Sequence, residues 1–266
     1  MHTVRTLPTV IAAAALLIAC GSDNAGSDAT STTAEPSTTV TMATTTSAPA
    51  TSTTNAVTTT TEVTTTSEVT TTTAGEMKLE QPAIWPAADV VFDTPEEAAG
   101  DFVTHALGVD PVLGDFQQGD LRSGEIEVLS PGEGDSAVRV SRGLLLLRQL
   151  GPDNGWFVIA AVNDEASITS PESGAVVPAE SLTVKGVGHG FEATIVVSAF
   201  VAGDAQRELD LQVTQAGTME AAGPYSVVVD LTGASPGDVI TLLVQGGTGL
   251  ETDPGEFGSI PVVIAG

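Results

Sequence analysis

Few residues in this chain have the side-chain chemistry to act on a substrate, and histidine is the scarcest of them, with three in 266 residues. His189 lies between Gly188 and Gly190 and is followed at once by Phe191 and Glu192. A histidine and a carboxylate three positions apart across a glycine-rich turn are candidates for acid–base work. Hydrolysis by such a pair also needs a nucleophile held on a strained turn and a base oriented by an acid. No G-x-S-x-G frame occurs, and "SRG", "ESG" and "ASPG" read as turns. His105 has no second His, Cys or Glu at metal spacing beside it and reads as a surface histidine. A zinc site would need acidic ligands brought from distant loops, and no spacing points to them. The sequence therefore assigns no catalytic residue, no metal ligand and no cofactor.

The acidic loops are the remaining ligand candidates. "ETDPGEFG" carries Glu251, Asp253 and Glu256, and "GDAQRELD" carries Asp204 and Asp210. Calcium favours several oxygen ligands, but neither stretch has the D-x-[DN]-x-[DN]-G frame with its distal Glu. Both read as solvated hairpin tips. The formal charge is -26, from 34 acidic and 8 basic residues. So few cations cannot neutralise a phosphate backbone, which excludes nucleic acid as a partner. Trp156, in "GWFVIAAV", reads as a core anchor, and Trp85, between Ile84 and Pro86, as packing across the start of the folded part.

Cys20 is the one cysteine, so no intramolecular disulfide can form. It closes a short segment, residues 1–20, that carries Arg5 near its start and continues as an apolar run from Val10 to Ala19. That layout is a secretory signal, too short to span a membrane comfortably. Its end, Leu17-Ile18-Ala19-Cys20, resembles the bacterial lipobox. The resemblance implies cleavage before Cys20 and diacylglycerol on its thiol, which would hold the protein on the outer face of the bacterial cell membrane.

The elements that must position everything else begin after a long low-complexity stretch. From Thr30 to Thr73 about half the residues are threonine and none is aromatic, so the segment cannot bury enough apolar surface to fold. It reads as a disordered tether. "DTPEEAAGDFVTHALG" predicts one helix, with Thr94 as N-cap, Pro95 at the first position, Glu97 closing a capping box and Gly108 as the stop. Ala98, Phe102, Val103, Ala106 and Leu107 form its apolar stripe. Strand-like runs follow at Gly124–Leu129, Ala137–Leu150 (bulged near Gly143) and Gly155–Val162. From Ala166 onward short strands recur: Ser167–Ser170, Ser181–Val187, Ala193–Val201, Glu208–Thr214, Tyr225–Leu231, Val239–Gln245 and Ser259–Ile264. Turn residues separate them, and "ITLLV" reads as buried on both faces. Seven such strands suggest a two-sheet sandwich.

Ser170-Pro171 with Gly174, Val184-Lys185-Gly186, Phe191-Glu192, Gly223-Pro224-Tyr225 and Ile260-Pro261-Val262 follow one another through this last part. This ordered set of motifs resembles the Gmad2 immunoglobulin-like domain of spore-germination and related envelope lipoproteins. The resemblance implies an envelope module without catalytic residues to transfer. The expected organisation is a lipoprotein signal peptide at 1–20 and a disordered Thr/Ser-rich linker at 21–84. A small α+β domain, a helix on an antiparallel sheet, follows at 85–164, and an all-β immunoglobulin-like sandwich at 165–266. Phe191 is expected in the sandwich core, and Glu192 as a cap for a neighbouring loop. The expected function is that of a membrane-anchored, extracytoplasmic, non-catalytic binding or scaffolding module. Its partners would be the membrane, through the lipid, and an envelope protein or wall polymer. A calcium-dependent adhesion module, and an enzyme or accessory subunit with a site in 85–164, are the alternatives.

Overall fold

The computed structural model describes residues 79–132, 138–218 and 220–266. The signal segment, the lipobox Leu17, Ile18, Ala19 and Cys20, and the Thr-rich stretch lie outside the described residues. The expected linker extends too far at its carboxyl end. Ala83 and Ile84 are buried, the Ile84 N–H donates to Val158 O at 2.9 Å, and the Glu80 carboxylate accepts from the Gly151 N–H at 2.8 Å.

Helix α1 runs from Pro95 to Phe102. Its start is the expected capping box: the Glu97 N–H donates to Thr94 Oγ1 and the Thr94 N–H to Glu97 Oε2, each at 3.3 Å. The helix continues through a wider, π-type turn at Val103–Leu107 and stops at Gly108, whose φ is 74°. The sequence predicts a regular α-turn there. Instead the Thr104 hydroxyl takes the Gly100 carbonyl at 2.8 Å, a side-chain bond that competes with the helical one.

Twelve strands follow among the described residues: β1 (Gln117–Asp120), β2 (Ser123–Leu129), β3 (Ser141–Leu150), β4 (Gly155–Val162), β5 (Ser167–Ser170), β6 (Val176–Val177), β7 (Ser181–Gly188), β8 (Thr194–Val201), β9 (Asp204–Gln215), β10 (Gly223–Asp230), β11 (Val239–Gly246) and β12 (Glu256–Ile264). β1 and β6 escaped the sequence reading because both are short and neither alternates. β3 begins four residues later than its predicted run, and Val138 and Val140 ahead of it are exposed.

Among the described residues the fold is mostly β, an immunoglobulin-like sandwich with one short helix. Its small sheet has the order β10-β7-β5. Its large sheet has nine strands in the order β1-β2-β3-β4-β12-β11-β8-β9, with β6 added on β12. Residues 165–266 therefore supply both sheets of the sandwich, but the large sheet does not end with them. It continues through β4 into the hairpins of residues 117–162.

β11 shows why. Ile240, Leu242 and Val244 point into the sandwich with Val184, Ile195, Val197, Tyr225 and Val262. Leu243 points the other way, joining Phe200 and Phe257 in a core shared with Trp85, α1, β2, β3 and β4. "ITLLV" is apolar at every position but one because it faces a core on each side. The polar residue in that run, Thr241, is fully buried and donates its hydroxyl to Ile84 O at 2.9 Å.

Candidate functional site

Five ionisable side chains meet where the two cores adjoin. Arg142 comes from β3, Glu165 from the connection between β4 and β5, His189 from the turn just after β7, Asp253 from the loop into β12 and Glu256 from the first residue of β12. Arg142 Nη1 donates to Glu256 Oε1 at 2.5 Å and Nη2 to Asp253 Oδ2 at 2.6 Å. Only 15% of the Arg142 side chain is exposed, and 5% and 12% of its two partners. His189 Nε2 lies 3.2 Å from Glu165 Oε2 and 3.9 Å from the second oxygen of Glu256.

Local backbone features put these groups together. In the β2–β3 ladder Val128 faces Gly143 and Leu129 faces Ser141, which leaves Arg142 as the extra residue of a bulge. A bulge re-aims a side chain out of the regular alternation. The break expected near Gly143 is here, and it turns Arg142 towards the β12 loop. Asn163 braces the same corner. Its side-chain N–H donates to Arg142 O at 2.8 Å and its carbonyl oxygen accepts from the Glu165 N–H at 2.7 Å. On the opposite side, a Cβ at Gly246 would lie 1.8 Å from His189 O, so only glycine lets the His189 loop come this close.

Electrostatically the cluster is a guanidinium held by carboxylates. Burial works against the charged Arg142, but its hydrogen bonds and charge contacts with Asp253 and Glu256 outweigh burial and hold it above its ordinary value. Its Nε is buried with no hydrogen-bond partner among the described residues. Asp253 is held from both ends, because its other oxygen accepts from the Gly255 N–H at 3.0 Å.

His189 is therefore partnered by Glu165 and Glu256, residues far away in sequence, and not by Glu192. Phe191 departs from its expected place in the core. It is 49% exposed, and its ring lies over Gly249. The chain turns sharply here, with Glu192 and Ala193 both at positive φ (55° and 58°), and this turn points the ring outward. Among the described residues no backbone N–H reaches the Glu192 carboxylate as a cap.

Nor are Asp253 and Glu256 the solvated tip residues that the sequence suggests. Asp204, at the start of β9, accepts from the Gln206 N–H at 3.1 Å, and Asp210, in the middle of β9, accepts from the Asp230 N–H at the end of β10 at 2.8 Å.

The remaining motif residues sit in packing positions. The Ser170–Pro171 peptide is cis, and the Gly174 N–H donates to Pro261 O at 2.7 Å. Gly186 on β7 faces Tyr225 on β10, and Gly223 and Pro224 pair with Gly188 and Val187. The Tyr225 hydroxyl donates to Ser167 O at 3.3 Å, and burial pushes its pKa up. None of these residues is among the five ionisable side chains.

Two clefts open beside α1. One, of about 520 Å³, is lined in part by Asp93, Glu96, Glu97 and Asp101. The other, of about 250 Å³, lies against Trp85, Asp101, His105 and the β8–β9 turn. His105 stacks on the Trp85 ring with an interplanar angle of 13°, and Asp101 accepts from the Trp85 indole N–H at 2.7 Å. His105 is thus a surface residue over a filled core. Trp156 packs edge-on against Phe116, their ring centroids 5.3 Å apart.

The sequence reading missed Arg142 and Glu165. Composition held one signal, since a chain with 8 basic residues and 34 acidic ones surrounds each buried cation with carboxylates. Nothing in the spacing says which carboxylates, because Arg142 and its partners are separated by more than a hundred residues.

Residues 165–245 match the Gmad2 family, described as an immunoglobulin-like domain of bacterial spore germination. The resemblance read from the sequence holds over that stretch, which contains every motif except Ile260-Pro261-Val262. No curated protein and no solved structure matches the chain.

Proposed function

We propose that this chain is a lipid-anchored protein on the outer face of a bacterial cell membrane, and that its folded part is a non-catalytic binding or scaffolding module. The observation that carries this reading is the immunoglobulin-like sandwich itself, matched over residues 165–245 and built on a sheet that runs on through β4 to β1. A sheet shared in this way makes one stiff body, a form suited to presenting edges and loops to a partner. Cys20, at the end of a signal-like segment, supplies the anchor, and the Thr-rich stretch supplies a tether of about 40 Å root-mean-square length. An envelope protein or a wall polymer is the partner that such a placement offers.

Asp253 and Glu256 each give one carboxylate oxygen to Arg142, which favours an ion-pair role for that loop over an all-oxygen calcium cage. Glu97, in the larger cleft beside α1, is committed to the capping box.

Two measurements test the proposal. Mass analysis of the mature amino terminus should find an acylated Cys20, and Cys20→Ser should move the protein from the membrane fraction to the medium. An unmodified thiol, or a variant that stays on the membrane, overturns the anchor. Purified full-length protein should bind isolated cell envelopes saturably and be displaced by unlabelled protein. Sedimentation that never saturates overturns the binding role.

A further inference from the structure

We propose that Glu165, His189 and Glu256 form a binding site for a divalent transition-metal ion, with zinc as the ion of choice. Each offers one ligand atom, and the three atoms all lie within 4.8 Å of one another; His189 Nε2 is near Glu165 Oε2 and Glu256 Oε2. Tetrahedral zinc with bonds near 2.0–2.1 Å sets its ligand atoms about 3.3 Å apart. The separations from His189 Nε2, 3.2 Å and 3.9 Å, bracket that spacing, so an ion needs only side-chain adjustment.

The charges also fit. Glu165, Asp253 and Glu256 carry three negative charges against the one positive charge of Arg142, and a divalent ion cancels the remainder. Arg142 does not compete for the site. It takes Oε1 of Glu256, while Oε2 is the oxygen near His189. In this arrangement the guanidinium fixes the orientation of a ligand from behind, as outer-shell partners of metal sites do. Asp253 holds the guanidinium in turn, and Asn163 holds both the Glu165 backbone and the Arg142 carbonyl.

The ligand set chooses the class of ion. One imidazole nitrogen with two carboxylate oxygens suits zinc and its neighbours, whereas calcium and magnesium favour all-oxygen cages. Three protein ligands leave a fourth position for water. The ion would fasten together the β4–β5 connection, the turn just after β7 and the start of β12, the corner at which the two cores adjoin. The site is independent of the envelope-binding reading, and its test does not depend on that reading.

The test is calorimetric titration of chelator-treated, full-length protein with zinc chloride, repeated on Glu165→Gln, His189→Gln and His105→Gln. The expected result is one zinc ion per chain and a melting temperature that rises with zinc. Both effects should be lost in Glu165→Gln and His189→Gln and kept in His105→Gln. The Glu165 side chain is 59% exposed, so Glu165→Gln keeps the test valid should His189→Gln fail to fold. Absence of saturable zinc binding to the parent chain overturns the site. So does binding that survives Glu165→Gln undiminished, or binding lost in His105→Gln, because either places the ion elsewhere.

Discussion

Ala161 of β4 stands opposite Ser259 of β12 in antiparallel register, and this pairing joins the hairpins of residues 117–162 to the sandwich as one sheet. Both side chains are buried. Ser259 turns its hydroxyl to Leu242 O at 2.8 Å, so the one polar group at the join is satisfied within the sheet. Phe257, two residues earlier, is fully buried beside Phe102, their ring centroids 6.3 Å apart. The junction is thus a packed interior and not a linker, and perturbing it should disturb both halves together.

Gly203→Ala tests that coupling. Gly203 forms the β8–β9 turn with φ at 78°, and a Cβ there would lie 1.8 Å from Ala87 N. Its own N–H donates to Ile84 O at 3.2 Å. An alanine is strained by its backbone conformation and also drives segment 84–87 away from the sheet. The expected outcome is a lower melting temperature together with faster proteolytic cleavage between residues 80 and 95. Unchanged proteolysis would show that the segment docks without needing this close approach.

Arg142→Met should be among the most damaging single changes. It leaves Asp253 and Glu256 buried without their cation, and breaking a buried pair in this way costs about 3–5 kcal/mol. Urea denaturation measures the loss. The triple change Arg142→Met, Asp253→Asn, Glu256→Gln should recover much of it, because no uncompensated charge remains. A triple variant less stable than Arg142→Met alone would show that the network stabilises by more than mutual neutralisation.

This cluster also marks where the sequence stopped being readable. Local rules worked for Thr94 and Glu97, whose capping box depends on neighbours three residues apart, and for β5, β7 and β11, whose turn residues and apolar runs are contiguous. They worked too for the sidedness of "ITLLV", although the second core behind it could not be named. They failed for His189, which has Glu192 three residues away and yet pairs with Glu165 and Glu256. Which carboxylate reaches an imidazole depends on how β7 and β12 meet, and that is a property of topology. Phe191 failed for a related reason. Its apolar character suggests burial, but two consecutive left-handed residues after it turn the chain so that the ring covers a glycine loop.

Asp210 supplies a pH prediction. Burial disfavours its ionised form, but Gln212 and the N–H groups of Asp230 and Leu211 outweigh that and lower its pKa from 3.8. A carboxyl depressed in the folded state contributes stability above its unfolded value, and this is lost as pH falls through the folded value. The contribution should therefore be complete at neutral pH and fade below 3.8. Asp210→Asn should lower stability at neutral pH and make the acid limb of the stability curve shallower. Parallel curves for parent and variant in that range would overturn the assignment.

Gly186 offers the sharpest steric test of the sandwich. It lies on β7 opposite Tyr225 of β10 and beside Ile168 of β5, at the centre of the three-stranded sheet. A Cβ on Gly186 would stand 1.9 Å from Ser167 O and 2.7 Å from Tyr225 Oη. The tyrosine could rotate away, but the carbonyl oxygen belongs to β5 and cannot move without loosening that strand from β7. Overpacking of a filled interior costs about 1–3 kcal/mol, and the displaced backbone puts Gly186→Ala at or above the upper end. Gly247→Ala is the matched control, since a Cβ there meets nothing within 4 Å. Replacing a glycine in open space restricts the unfolded chain and should be neutral or stabilising by about 0.4–1 kcal/mol. Tyr225→Phe separates the hydroxyl from the ring: it removes the bond to Ser167 O and should cost about 0.5–1.5 kcal/mol. Denaturation midpoints of the three variants should therefore rank Gly186→Ala lowest, then Tyr225→Phe, then Gly247→Ala at or above the parent. A Gly186→Ala variant as stable as the parent would mean that β5 yields freely, and that this motif glycine is not held by close packing.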